Sequence, residues 1–96
     1  MKPSDALRDQ RDRVLAILQR YGAEDPRVFG SSVHGADADD SDLDLVVRFR
    51  EGTSLLDVSA LHLELEDVLR CPVDVVSEKA LRGRRGARIR REARSL

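Results

Sequence analysis

A chain of 96 residues is long enough for one domain with a single core, but too short for a catalytic domain followed by a separate substrate-recognition domain. Hydrophobic residues make up 41% of the sequence and charged residues 36%, and no apolar run reaches the length of a membrane span. This composition indicates a soluble globular chain. Since the N-terminal residues also lack the apolar segment of a signal peptide, we expect a cytoplasmic location.

The formal net charge of -1 conceals opposite charges in two parts of the chain. Residues 79–96 hold eight basic residues and one acidic residue, a net charge of +7, whereas residues 1–78 hold nine basic and 17 acidic residues, a net charge of -8. The basic segment favours an electrostatic contact with a protein partner or with a nucleotide. Direct binding of nucleic acid is the less favoured alternative, because the aromatic residues that would stack on bases are missing from this segment.

The first half of the chain predicts a helix, a strand and a short helical turn. Residues 5–21 have apolar residues at helical spacing, with Ser4 as the N-cap. A short strand at residues 26–29 ends at Gly30 and leads into a helical turn at residues 31–34. A strand that runs into a helix in this way exposes free backbone N–H groups that can bind an anion.

The middle of the chain predicts a strand followed by an amphipathic helix. Residues 37–41 form a polar turn, and residues 43–49 form the second strand. Thr53 or Ser54 caps a helix that extends to about Arg70, because apolar residues recur there at intervals of three and four.

The last part of the chain predicts a third strand and a basic final helix. The strand covers residues 73–76, and Ser77 caps a helix at about 79–96 that is interrupted by Gly83 and Gly86. The complete order of elements implies an α/β (α+β) fold, in which a small mixed β-sheet carries helices packed mainly on one face.

Three aspartates stand beside or inside apolar strand sequences, where aspartate is uncommon. Asp42 and Asp44 alternate with aliphatic residues and therefore project from one face of a strand, while Asp74 lies in the third strand. A bound cation would offset the cost of burying these carboxylates, so they are candidates for a metal site. In the plainer alternative, Asp42 lies in a turn, Asp44 faces solvent, and Asp74 pairs with an arginine.

A calcium-binding loop is another interpretation of the Asp-rich segment. Asp40, Asp42 and Asp44 occupy alternate positions, and Glu51 is the twelfth residue counted from Asp40. The sixth position is Leu45, where such a loop requires glycine, and the sequence that follows is typical of a strand. This argues against a calcium loop.

The glycine-serine loop is weak evidence when it is taken alone. Gly30, Ser31 and Ser32 lack both the lysine of a P-loop and the three spaced glycines of a dinucleotide-binding fold. An ordinary strand-to-helix turn with a serine cap explains them equally well, and the nearby His34 fits a hydrogen-bonded loop residue.

The combined pattern is more specific. Gly30-Ser31, Asp42-Leu43-Asp44 and the later Asp74 together resemble the nucleotidyltransferase superfamily that includes DNA polymerase β, and within it the minimal nucleotidyltransferase (MNT) antitoxins. The resemblance covers nearly the whole chain, so it implies a single minimal nucleotidyltransferase domain at 1–96. The family commonly has Ala-Arg-Gly where this chain has Val33-His34-Gly35, which places less positive charge near the phosphates.

The resemblance implies a reaction and a role for each motif. Gly30, Ser31 and Ser32 would bind the phosphates of ATP, and the three aspartates would be catalytic and hold two Mg²⁺ ions. Asp74 would also help to deprotonate the acceptor, a hydroxyl of a cognate HEPN-type toxin, with tyrosine as the expected residue. A non-catalytic antitoxin that acts by binding alone, and a nucleotidyltransferase for small molecules, are the alternatives.

Overall fold

The computed structural model describes residues 1–96, and it contains a four-stranded sheet and four α-helices. In chain order the elements are α1 (Pro3–Asp9), α2 (Arg11–Arg20), β1 (Ala23–Phe29), β2 (Leu43–Phe49), α3 (Leu55–Leu69), β3 (Val73–Ser77), α4 (Gly83–Glu92) and β4 (Arg94–Ser95). Two 3₁₀ turns cover Gly30–His34 and Glu78–Ala80. No helix in the structure combines the length and the apolar character that crossing a membrane requires.

The sheet is mixed, as the sequence predicted. Its strand order is β3-β2-β1-β4, in which β2 is parallel to β3 and antiparallel to β1, while β4 runs antiparallel to β1. A parallel pair needs a crossover connection, and α3 supplies it between β2 and β3. The parallel arrangement brings the beginnings of β2 and β3 to the same edge of the sheet.

Alternation along β2 divides its side chains between two apolar layers. Leu43, Leu45 and Val47 are fully buried in the main core, which also contains residues of α1, α2 and α3. Val46 faces the other way and packs in a smaller cluster with Phe29, Leu81 and Ile89. Three helices therefore cover one face and α4 covers part of the other, which confirms a sheet with helices mainly on one face.

The predicted helix α3 is confirmed at both ends. Ser54 is its N-cap: the Asp57 backbone N–H donates to Ser54 Oγ, and the Ser54 backbone N–H donates to Asp57 Oδ2, both at 3.1 Å. This reciprocal capping box satisfies two backbone donors that a helix start otherwise leaves unpaired. The helix ends at Leu69, and Arg70 adopts the left-handed conformation before the chain enters β3.

The prediction of one N-terminal helix capped by Ser4 is wrong. The segment forms two helices that meet at Gln10, and α1 begins at Pro3, whose fixed φ suits the first position of a helix. Ser4 lies inside α1 and donates both its backbone N–H and its hydroxyl to the carboxylate of Asp37, each at 2.8 Å. Ser4 therefore bonds to a residue 33 positions later in the sequence and does not cap the helix.

The predicted end of the chain also needs correction. Ser77 makes no capping hydrogen bond; α4 begins after Arg82 and continues through Gly86 without interruption. Gly86 instead permits close packing, because a Cβ atom there would lie 2.8 Å from the carbonyl carbon of Leu81. The two-residue strand β4, which pairs with β1, was not predicted because two polar residues have no strand periodicity.

Candidate active site

The structure brings the three predicted aspartates together at one edge of the sheet. Asp44 on β2 is the register partner of Asp74 on β3. Neighbouring strands lie about 4.8 Å apart, so partners in a parallel pair project side by side from the same face. Asp42 lies two residues before Asp44, exposed at the end of the polar turn, and its charge acts on Asp44.

Gly30 lies directly against this carboxylate cluster. Phe29 pairs with Asp44 across the antiparallel strands, so the chain leaves β1 beside the Asp44 side chain. Gly30 adopts a φ of +78°, and a Cβ atom built on it would clash with Asp44 Oδ2. Only glycine fits here without displacing the carboxylate, since both the backbone conformation and the space exclude a side chain.

Asp37 stabilises the glycine-serine loop, although its sequence context predicted only a polar turn. Asp37 is 4% exposed, and it accepts the two hydrogen bonds from Ser4 and a third, at 3.4 Å, from the hydroxyl of Ser32. Burial alone would raise the pKa of Asp37, but these donors outweigh it and lower the pKa. Nothing local in the sequence signalled this role, because its main partner is in α1.

The two serines of the loop therefore differ in their surroundings. Ser31 is exposed, whereas Ser32 is 7% exposed and its hydroxyl is engaged with Asp37. Ser31 can present its side chain to a ligand, and Ser32 stabilises the loop from inside. His34, at the end of the 3₁₀ turn, is exposed and makes no ion pair.

Asp44 is the electrostatic centre of the site. Its side chain is half-buried, and its pKa is raised by burial, then by the charge of Asp74 and then by that of Asp42, with Arg85 opposing the shift. Asp74 is exposed and forms no ion pair with an arginine, so the plainer interpretation fails for both of these residues. Two like charges beside a half-buried carboxylate favour a bound cation.

These carboxylates do not form a complete metal cage by themselves. No group of three or more His, Cys, Asp or Glu side chains is already arranged to hold a metal ion. Mg²⁺ usually takes only one or two ligands from carboxylates and completes its octahedron with water and substrate phosphates. The partly buried Asp44, with an acidic neighbour on each side, fits such a shared site.

Basic residues of α4 line a small cavity at Gly30, the glycine that lies against Asp44. The cavity has a volume of about 160 Å³ and is lined by Phe29, Gly30, Arg85, Arg88, Ile89 and Glu92. The charge of Arg85 lowers the pKa of Asp44, so the guanidinium acts directly on the site. The sequence indicated a basic segment, but only the placement of α4 identifies which arginines reach the cavity.

A larger cavity lies elsewhere in the molecule. It measures about 260 Å³, lies between α1 and the C-terminal residues 94–96, and includes Ser32 but none of the three aspartates. Its size does not identify it as the site of the chemistry, since the smaller cavity is the one lined by Gly30, which lies directly against Asp44.

Comparison with known proteins places this geometry in a family. A family model described as "Polymerase beta, Nucleotidyltransferase" matches residues 14–94. MJ0435 of Methanocaldococcus jannaschii, named as a candidate protein adenylyltransferase, is 35% identical over 75 residues, which cover 78% of this chain and 81% of that protein. The protein adenylyltransferase MntA of Thermococcus cleftensis is 39% identical over 66 residues, covering 69% of this chain and 67% of its own length.

Solved structures agree with these relatives. A structure described as a candidate minimal nucleotidyltransferase superposes with a TM-score of 0.87 at 46% identity, covering 97% of this chain and 95% of that one. A crystal structure of a toxin-antitoxin with AMP-PNP superposes with a TM-score of 0.74 over 88% of this chain and 69% of that one. At 17% identity, the second likeness shows a shared fold only.

Proposed function

The chain belongs to the polymerase beta nucleotidyltransferase family, and we propose that it is an antitoxin that transfers AMP from ATP to a tyrosine hydroxyl of a HEPN-type toxin. The names of its relatives support transfer to a protein, because both are described as protein adenylyltransferases. The toxin-antitoxin structure that shares the fold supports the kind of partner.

In this proposal the glycine-serine loop binds the outer phosphates of ATP. Because Gly30 has no side chain, the Asp44 carboxylate can lie against the backbone of the loop, and a phosphate bound by the loop would lie beside this carboxylate. Ser31 contributes its exposed hydroxyl, and Ser32 contributes through the backbone while its side chain holds the loop to Asp37.

Asp42, Asp44 and Asp74 hold the metal in the same proposal. Two bound Mg²⁺ ions would neutralise the triphosphate and lower the pKa of the acceptor hydroxyl. The acceptor oxygen attacks the α-phosphorus in line with the bond to the bridging oxygen, which breaks so that pyrophosphate leaves. Asp74, exposed at the start of β3, is open to the acceptor and receives the hydroxyl proton.

The single observation that supports this function most strongly is the position of Asp44. It lies between a glycine whose missing side chain leaves room for the Asp44 carboxylate and a second carboxylate in register on the next strand. A purely structural aspartate would not require a glycine against its carboxylate on one side and a repelling charge on the other.

The test is a transfer assay with labelled ATP, Mg²⁺ and the protein encoded by the adjacent gene. Wild-type protein should label that partner and neutralise its toxicity, and the Asp42→Asn, Asp44→Asn double variant should do neither. The Asp39→Asn, Asp40→Asn double variant is the matched control, because it removes the same charge from exposed positions in the same loop. It should retain transfer.

The same experiment separates catalysis from binding alone. If the Asp42, Asp44 double variant neutralises the partner at the same dose as wild type, occlusion is sufficient and transfer is unnecessary. If labelled ATP modifies a small molecule and leaves the partner unlabelled, the acceptor in the proposal is wrong.

A further inference from the structure

We propose that Arg85 of α4 binds the outer phosphates of the nucleotide that the glycine-serine loop holds. The inference rests on the proposed function, because it concerns the same site. It assigns a phosphate-binding role to a helix that follows the last strand of the catalytic cluster, and it gives one residue of the basic segment a defined task.

The first argument is the position of Arg85. It lines the cavity of about 160 Å³ together with Gly30, so a ligand that occupies this space touches both residues. Ile89, four residues after Arg85, is buried in one cluster with Val46, and Val46 projects from the same face of β2 as Asp44, so α4 lies on the side of the sheet where this carboxylate projects. A phosphate bound at Gly30 in this cavity would therefore lie within the field of this guanidinium.

The second argument is that Arg85 is uncommitted. It forms no ion pair and no side-chain hydrogen bond. The other arginine of the cavity, Arg88, is paired with Glu92 at 3.2 Å, and Glu92 lines the same cavity. Arg88 is thus already neutralised, and Arg85 is the free cation available to a phosphate.

The third argument is that α4 holds Arg85 in place. Ile89 lies one helical turn after Arg85 and is buried in the cluster with Phe29, so both residues occupy the same face of the helix. Gly86 packs closely against Leu81, which keeps the start of α4 near the sheet. A guanidinium on a fixed helix can form two parallel hydrogen bonds with a phosphate, which a flexible loop residue achieves less readily.

The experiment measures binding of ATP and of AMP, in the presence of Mg²⁺, by isothermal titration calorimetry on the full chain. Arg85→Ala should weaken ATP binding by about tenfold, the usual effect of losing a charge-assisted hydrogen bond, and should change AMP binding little. Arg85→Lys should recover part of the loss. Arg84→Ala and Arg91→Ala are matched controls, because both arginines are exposed, lack ion pairs and lie outside the cavity. They should bind ATP like wild type.

Three results would overturn the inference. An equal loss of ATP binding in the control variants would indicate a general effect of charge. If Arg85→Ala weakened the binding of AMP as much as that of ATP, Arg85 would not contact the outer phosphates. If Arg85→Ala bound ATP with unchanged affinity, Arg85 would not contact the nucleotide. Thermal denaturation of each variant verifies that it is folded.

The outcome is distinguishable from failure of the proposed function. Wild-type protein that binds ATP through Arg85 but labels no partner would refute the transfer reaction and leave this inference standing. Conversely, full transfer by Arg85→Ala with an unchanged KM for ATP would refute the inference alone. Absence of ATP binding by wild-type protein would overturn both.

Discussion

Replacement of Gly30 by alanine should damage the site far more than it damages the fold. Two effects act at this position. The φ of +78° is unfavourable for a residue with a Cβ atom and costs about 1–2 kcal/mol. The new Cβ also requires the space of Asp44 Oδ2, which is the end of a rotatable side chain and can move away. The clash is thus relieved by displacing the carboxylate.

These effects predict separate magnitudes for stability and transfer. A loss of 1–2 kcal/mol should lower the melting temperature by about 4–16 °C in a domain of this size. A displacement of Asp44 by about 1 Å should lower the rate of transfer by about 100-fold. Thermal denaturation measures the first quantity, and initial rates of label transfer from ATP measure the second.

Gly52→Ala is the matched control for this prediction. Gly52 has a similar φ of +87°, but nothing lies within 4 Å of a Cβ atom at that position. It should lose a similar amount of stability and keep its rate of transfer. If Gly30→Ala transfers AMP at the rate of Gly52→Ala, the reasoning that couples Gly30 to Asp44 is refuted.

Three further predictions concern stability and the attachment of α4. Asp44→Asn should abolish transfer but raise the melting temperature at pH 7, because burial and the neighbouring carboxylates raise the pKa of Asp44 and penalise its charged form. This gain in melting temperature should vanish below pH 3.8, where Asp44 of the wild type is protonated in both the folded and the unfolded state. Asp37→Ala should lower the free energy of unfolding in urea by about 2–4 kcal/mol, and Asp40→Ala should change it little. Because hydrogen bonds lower the pKa of Asp37, wild type should lose this contribution as the pH falls below 3.8, and Asp37→Asn should lack that acid-dependent step. Gly86→Ala should lower both the melting temperature and the affinity for ATP, because the new Cβ atom would meet the backbone of Leu81 at 2.8 Å. Alanine favours a helix more than glycine does, so a more stable variant would contradict the close packing of α4 on Leu81.

The elements that the sequence predicted well are those with a strong local pattern. The strand β2 begins with Asp44 between two leucines and continues with two valines. The helix α3 combines a capping box with apolar residues at helical spacing. Both have the predicted positions because local preference and burial favour the same structure. The proximity of Asp44 and Asp74 follows from the parallel pairing that α3 imposes.

The features that were missed depend on contacts between distant parts of the chain. Asp37 resembles any polar turn residue until Ser4 of α1 is placed beside it. The strand β4 exists because β1 offers it an edge. Arg85 is one of many arginines in a basic segment, and only the packing of Ile89 decides which of them lines the cavity at Gly30. Local propensity contains none of this information.

Intact-mass spectrometry of the partner protein tests the central claim most directly. The protein encoded by the adjacent gene is incubated with ATP and Mg²⁺ and either wild-type protein or the Asp42→Asn, Asp44→Asn double variant. Our account predicts that wild type increases the partner's mass by one or more AMP groups, located on tyrosine by peptide mapping, and that the double variant leaves the mass unchanged. An unmodified partner in the presence of wild type, or equal modification by both proteins, would contradict it.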